Sequence, residues 1–553
     1  MRSSAALILL LSHSALGFDA VPAGAASVHA RPAPLRRTTA VTANLDSPNS
    51  DPVLRPQLML AALLTGTATG VAVAGFKTCV TSLAVALHSG PLAMPETPST
   101  LGMFVLVPAA GGLLIGFLRF FALSVGPDMG LTPMRTSIGA DLAQHASEVE
   151  RSEELSAMRS LARGTATTIA LGSGNSVGAT GPAVEIGGAV SRLIAQATAS
   201  LAPSPIRLED GGDAQASGML RWRRQLLASG SAAGVAAVFA APLTGVFFAM
   251  EVVPAAARRS VVEGDELEER RDAAELDTRS RTTLPAIVLS AIVAAAVVRV
   301  ILGADASGMT AFPMDEALVG DGSLEGLVAC LPLYAVLGAL SGCTATVFRR
   351  GTSAVGAAFS AGGVVGGLPE PLKPALGGLV CGLVGAACPQ VLWRDFVSDS
   401  MLDAVGASAP ATQATGAELA ASAATLIVAK LVATCVCIGS GVVGGIFAPC
   451  LFLGAATGVA FHGSLVALVP SLPLDSTSVC AVIGAAATLS SVFSAPLTAT
   501  MLIVELTGGS DLALPLLVAA GTGPLAASWL DEQLAAAAGT TPSDAAERRG
   551  KEA

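Results

Sequence analysis

Residues 172 to 182 read GSGNSVGATGP, and residues 439 to 449 read GSGVVGGIFAP. Each stretch opens Gly-Ser-Gly and places a glycine six positions on (Gly178, Gly445), a proline ten positions on (Pro182, Pro449) and a glycine at the fifteenth step (Gly187, Gly454). A glycine-rich turn, a proline and then an apolar run is the order of a loop feeding a helix with proline in its first turn. The unbonded N–H groups of that turn and the positive end of the helix dipole face back into the glycines. Backbone alone then makes an anion site. Inside a bilayer this has an advantage over a lysine, whose full charge is costly to bury and holds an anion too tightly to release it. Close helix packing would explain small residues. It does not explain the shared proline offsets or the shared polar starts.

A second chemistry fits the same letters. GNSVG, from Gly174 to Gly178, matches the G-x-S-x-G elbow of serine hydrolases, with Ser176 as nucleophile. Such a serine needs a histidine base. The five histidines (His13, His29, His88, His145 and His462) stand in no recognisable triad context. A phosphate-binding loop fits less well still, because no Lys-Ser/Thr follows either glycine stretch. The nine cysteines form no CxxC pair and no metal spacing, and read as small core residues. No cofactor, metal, enzymatic activity or nucleic-acid partner is expected.

The elements that must position these turns are membrane helices. The chain of 553 residues is 52% hydrophobic and only 13% charged, with a mean hydropathy of +0.66. Ordinary soluble domains carry about 25% charge. Apolar runs long enough to cross about 30 Å of hydrocarbon begin near Leu58, Leu101, Leu284, Gly326, Leu372 and Glu418. With 60 Gly and 32 Pro, several of these should be broken or tilted helices. The net charge of -10 comes largely from polar loops such as EGDELEERRDAAELD at 263 to 277.

A second duplication supports the first. Residues 238 to 251 read VFAAPLTGVFFAME and residues 492 to 505 read VFSAPLTATMLIVE, with a glutamate nine residues beyond the proline in both. The signatures occur in the same order in each half, the first pair offset by 267 residues and the second by 254, and the insert PSPIRLEDGGDAQASG in the first half fits the difference. Duplicated halves are characteristic of transport folds, whose sites lie where the repeats meet. The first repeat is placed at about 55–303 and the second at about 326–530, with a linker at 304–325, a short polar tail at 531–553 and further loops at 127–155, 254–282 and 394–415. Whether the repeats run parallel or inverted does not follow from the letters.

Residues 1–50 stand apart. Arg2 and the run SSAALILLLSHSALG have the form of a signal peptide, and Phe18 to Thr42 is rich in Ala, Pro, Arg and Thr with Asp19 its only acid. A signal joined to a transit-like segment points to a plastid membrane, with an endomembrane or the plasma membrane as the alternative.

These residues resemble the CLC family of chloride channels and chloride/proton exchangers over about 57 to 530. GATGPAVEIGG (178–188) is similar to the family's G-[K/R]-E-G-P signature, GGIFAP (444–449) to its G-x-F-x-P signature, and GVAAVFAAPLTGVFFAMEV (234–252) to its third block. The resemblance implies an all-α polytopic fold of two inverted repeats with many tilted and broken helices. It also implies a homodimer in lipid with one anion pathway per subunit, and coordination of chloride or a similar monovalent anion by helix N-termini. The cytosolic CBS domains of many eukaryotic relatives are not expected after the last apolar run. Gly178, Ala179, Thr180, Gly181 and Pro182 carry over as one anion-facing turn. Gly445, Ile446, Phe447, Ala448 and Pro449 carry over as the other, with the Ile446 and Phe447 amides toward the ion. A third turn, G-S-G-I-P in the family, has its nearest counterpart in MGLTPM (129–134), where Thr132 replaces the serine hydroxyl.

The departures from the family pattern concern mechanism. The family's gating glutamate is Thr180 here, and a threonine does not titrate near neutral pH. Its proton-relay glutamate is Val252, and the only tyrosine, Tyr334, lies in the wrong segment to serve as the phenol ligand. These replacements imply passive anion flux without proton coupling. The alternatives are an exchanger with an unusual proton route through Glu185, and the intramembrane serine hydrolase. Glu251 and Glu505 are expected to hydrogen-bond structurally at helix ends, and Lys77, Arg119, Arg299 and Lys430 to snorkel or to pair.

Overall fold

The computed structural model describes residues 56–88, 98–121, 157–198, 214–260, 283–303, 324–360, 362–392, 402, 405–406, 415–469, 476–509 and 511–537. The leader and the turn carrying Thr132 lie outside the described residues. The first seven helices are α1 (Pro56–His88), α2 (Pro98–Phe121), α3 (Ala157–Gly172), α4 (Thr180–Ala197), α5 (Ala214–Phe239), α6 (Pro242–Ser260) and α7 (Thr283–Leu302). The other seven are α8 (Leu324–Phe359), α9 (Leu372–Ala387), α10 (Gly416–Ser440), α11 (Phe447–Leu468), α12 (Thr477–Phe493), α13 (Pro496–Thr507) and α14 (Ala513–Ala537). Six of them, α1, α7, α8, α10, α11 and α14, are long and apolar enough to cross a membrane. The chain is a multi-pass, all-α membrane protein.

Two boundaries differ from expectation. α6 continues through Pro254 to Ser260, so the polar linker begins later than 254. A proline removes one hydrogen bond from a helix without ending it where neighbouring protein supports the backbone. α14 runs to Ala537, past the expected end at 530. Asp531 anchors that last stretch, accepting from Arg349 at 2.6 Å and Arg350 at 3.1 Å on α8.

The orientation of the repeats follows from glycine contacts. A Cβ on Gly112 or Gly116 of α2 would meet the carbonyls of Pro374 and Pro371, while one on Gly378 or Gly382 of α9 would meet those of Pro108 and Val105. Rising numbers in α2 pair with falling numbers in α9, so the two helices are antiparallel. They are also repeat equivalents: Gly111 packs on Ser173, and Gly377 packs on Ser440, the serines of the two Gly-Ser-Gly phrases. Equivalent helices that run antiparallel make the repeats inverted. Within each repeat the helix after the glycine phrase packs backbone-close on its neighbour, Gly187 against Gly230 in the first and Gly454 against Gly484 in the second.

The second signature ties the halves together. Glu505 at the end of α13 accepts from the amides of Leu243 (2.8 Å) and Thr244 (2.7 Å) and from the Thr244 hydroxyl (2.6 Å) at the start of α6. Glu251 on α6 does the same for Leu497 (3.0 Å), Thr498 (2.7 Å) and the Thr498 hydroxyl (2.7 Å) at the start of α13. Each carboxylate caps the opposite repeat's helix, so the structural role expected of both is observed. The four cations end on carbonyls: Lys77 on Val238 (3.0 Å), Arg299 on Ala240 (2.8 Å), Arg119 on Gly441 (2.9 Å) and Lys430 on Val391 (2.8 Å). Carbonyls at or just past helix ends lack intrahelical donors and carry the negative end of the dipole, which suits a buried cation. None of the nine cysteines is in a disulfide; six are buried and Cys79 is exposed.

Two stability predictions follow from these contacts. Glu505→Ala leaves three donors at the start of α6 without their acceptor and should cost about 1–3 kcal/mol, read as a lower unfolding temperature in detergent. Gly187→Ala drives a methyl into the Gly230 carbonyl and should cost a similar amount, about 1–3 kcal/mol, in the same assay.

Candidate anion site

Both glycine phrases begin as helix C-caps. Gly174 follows α3 with φ +87° and Gly441 follows α10 with φ +91°. The Asn175 amide reaches back to Ala170 and the Gly174 amide to Leu171; Val442 and Gly441 reach Cys437 and Ile438 in the same pattern. This is the Schellman arrangement, whose C′ residue is left-handed and therefore favours glycine. The third letter of each phrase is thus a stop signal. It reverses the chain so that a new helix starts within the protein.

The sixth-step glycines then meet. The Gly178 amide donates to the Gly445 carbonyl and the Gly445 amide to the Gly178 carbonyl, both at 2.6 Å, forming one antiparallel bridge between the repeats. Both positions are tight. A Cβ on Gly178 would lie 3.3 Å from the Ala448 amide nitrogen, a close contact, and one on Gly445 would lie 2.9 Å from the Gly181 amide nitrogen, where something must shift. Each bridge glycine therefore sits against the first turn of the opposite helix, and the N-termini of α4 and α11 converge.

Those N-termini are capped differently from others in the fold. α10 has a full capping box from Thr415 and Glu418, α12 is capped by the Ser476 hydroxyl, and α6 and α13 receive Glu505 and Glu251. α4 and α11 have no side-chain cap at Ala179 or Ile446. In both, the first intrahelical bond beyond the cap skips the proline, from Ala183 to Ala179 and from Cys450 to Ile446. The amides at the cap and at the first two helical positions (Ala179, Thr180 and Gly181; Ile446, Phe447 and Ala448) have no acceptor within their own helices. Ala179, Thr180, Pro182, Phe447, Ala448 and Pro449 are buried, while Gly181 and Ile446 are half-buried. Uncapped amides at buried helix starts, aligned with two helix dipoles, suit a monovalent anion.

The Gly178 and Gly445 amides are used on each other, so within the two turns the backbone N–H groups left without an acceptor in their own helices are those that follow these glycines. The first turn of α11 is further fixed through Phe447, whose ring centroid lies 5.4 Å from that of Phe239 and 5.1 Å from that of Phe493. These two rings are repeat equivalents from the VFxAPLT motif. Both are followed by left-handed residues, Ala240 (φ 52°) and Ser494 (φ 54°).

Other singled-out residues lie elsewhere. Glu185 is buried on α4 and paired with Arg163 of α3 at 3.0 Å, an ion pair that bridges the Schellman turn and was not apparent from the letters. Val252 is buried beside the capping Glu251. Tyr334 is fully buried within α8. The Ser176 oxygen lies 2.8 Å from the Thr434 hydroxyl, so the candidate nucleophile's recorded partner is a threonine. The imidazole of His462 meets Thr477 at 3.0 Å, at the far end of α11.

Comparison with known proteins agrees with this architecture. Residues 129–528 match the family model described as voltage gated chloride channel. The chain is 30% identical over 492 residues to chloride channel protein CLC-e of Arabidopsis thaliana, covering 85% of this chain and 59% of that protein. It is 29% identical over 361 residues to the H(+)/Cl(-) exchange transporter ClcA of Vibrio parahaemolyticus, covering 63% of this chain and 62% of the relative. It therefore spans less than two thirds of the length of these relatives. Among solved structures, a slow cyanobacterial Cl-/H+ antiporter superposes with a TM-score of 0.61 at 22% identity, covering 86% of this chain and 95% of that one. A eukaryotic CLC transporter superposes at 0.60 and 19% identity, covering 86% of this chain and 72% of that one. With two inverted repeats meeting at paired glycine turns and a family model matched across most of its length, the chain belongs to the voltage gated chloride channel family, the CLC proteins.

Proposed function

We propose that this protein carries chloride or a similar monovalent anion passively across a membrane, with the ion held by the first-turn amides of α4 and α11, and without coupling to protons. The carrying observation is the convergence of two buried, uncapped helix starts at the Gly178–Gly445 bridge, with Thr180 in the first turn. A site made of partial charges binds an anion without holding it, as conduction requires.

The absence of proton coupling rests on what the ionisable groups do. Thr180 and Val252 carry no proton near neutral pH. Glu185 is committed to Arg163, and Glu251 and Glu505 to opposite helix starts. Several relatives are named as proton/chloride exchange transporters, and that name favours exchange as the second reading. We place the protein in a plastid membrane on the composition of residues 1–50, a location compatible with its relatives from Arabidopsis thaliana. We take it to be a homodimer, as the family resemblance implies.

In proteoliposomes, an imposed chloride gradient should move chloride with no accompanying proton flux; stoichiometric proton movement would overturn the passive reading. Thr180→Glu should introduce a pH-dependent block, with flux falling as pH rises and the new carboxylate ionises to compete for the amides. An unchanged pH response would mean that position 180 does not face the ion. For Glu185, pairing predicts that Arg163→Leu destabilises by about 3–5 kcal/mol and that the double variant with Glu185→Leu regains most of it, seen in unfolding temperature. A proton route through Glu185 predicts instead a change in proton flux in Glu185→Gln.

A further inference from the structure

On the flank of α4 away from the glycine bridge, α1, α3 and α4 leave a furrow of about 340 Å³ between them. Each helix lines it with the same spacing: residues 72, 76 and 79 of α1, residues 161, 165 and 168 of α3, and residues 186, 190 and 193 of α4. An i, i+4, i+7 stripe is one face of two helical turns. Each such stripe is about 10 Å long at 1.5 Å per residue, and three of them line the furrow.

The walls are mainly apolar, with Cys79 and Ser160 also lining them. Phe76, Ile186 and Val190 supply apolar surface. The two threonine hydroxyls donate within α3, Thr165 to the Ala162 carbonyl at 2.8 Å and Thr168 to the Gly164 carbonyl at 2.9 Å, which leaves their methyl groups to the furrow. Water in such a space would find few polar partners. A Cβ on Gly164 would meet no atom within 4 Å, so this glycine opens the hollow and is not a packing contact. Leu161 (64% exposed) and Leu193 (52% exposed) stand at the rim, making the furrow continuous with the apolar outer surface. Residues 72 to 79 fall in the middle of the 33-residue α1, a candidate membrane span. The middle of a span lies at hydrocarbon depth.

From this shape, chemistry and depth we propose that the furrow is a fixed binding site for one acyl chain of a bilayer lipid. A compact polar ligand would find little to bond there beyond Ser160; a flexible hydrocarbon fills a mainly apolar furrow. The occupant would lie along Ile186 to Leu193 of α4, the helix whose first turn holds Thr180. The site does not depend on which ion the protein carries or on whether protons accompany it.

The full chain, reconstituted in phosphatidylcholine vesicles containing a trace of phosphatidylcholine with a mid-chain diazirine, provides the test. After photolysis, adducts mapped by mass spectrometry should concentrate on residues 72–79, 161–168 and 186–193. They should fall severalfold in Gly164→Leu, whose new side chain grows into the furrow, while adducts near the exposed Leu525 and Trp529 of α14 remain unchanged. Thr165→Leu, at an exposed position in the same furrow, should have the same effect and serves where Gly164→Leu fails to fold. Adducts spread evenly over the lipid-facing helices, or unchanged in the filled variants, would mean ordinary annular contact only and would overturn the proposal.

Discussion

Two glycine amides exchanging hydrogen bonds across the boundary between repeats set the geometry on which the rest of this structure depends. Within a bilayer a backbone N–H group must find its acceptor inside the protein, and irregular chain survives only where another piece of chain completes it. The Gly178–Gly445 bridge does this for both turns at once. It requires that each turn stop its preceding helix with a left-handed glycine, that little project from the bridge, and that both following helices start side by side. From these requirements follow the converging dipoles, and on the dipoles rests the proposed anion site. The inverted packing of α2 on α9 and the ring contacts of Phe447 hold the same arrangement from either side.

Much of this was legible in the letters, because duplication writes the same physical demand twice. The offsets of glycine and proline announced two equivalent helix starts, and the carboxylates nine residues beyond Pro242 and Pro496 announced equivalent helix ends. The hydrophobic runs at Leu58, Leu284, Gly326 and Glu418 placed four spans to within a few residues, whereas those at Leu101 and Leu372 became α2 and α9, whose apolar stretches are too short to count as spans. What stayed hidden was the direction of one copy relative to the other. Sequence similarity is blind to direction, which appears only when Gly112 and Gly378 are found against the carbonyls of Pro374 and Pro108.

The partners of polar groups were the other blind spot. Glu185 meets Arg163 of the preceding helix, 22 residues back, and periodicity within one helix says nothing about a partner on the far side of a turn. The mutual pairing of the Gly178 and Gly445 amides was hidden for a related reason: a glycine beside a helix start can either offer its amide to a ligand or give it to another chain segment. Both choices read identically in one dimension. The left-handed Ala240 and Ser494 were equally silent, since neither residue type advertises that conformation.

The mutual capping of α6 and α13 has a consequence for how the chain is made. The donors at Leu243 and Thr244 wait for an acceptor 261 or 262 residues further along, so the first repeat enters the bilayer before the group that completes it has been synthesised. During that interval the start of α6 has to be satisfied by water, by lipid headgroups or by an assisting protein. The second repeat meets no such delay, because Glu251 is already present when Thr498 emerges. Symmetric in the finished molecule, the two caps are sequential in biogenesis, and the vulnerable period belongs to the half that inserts first.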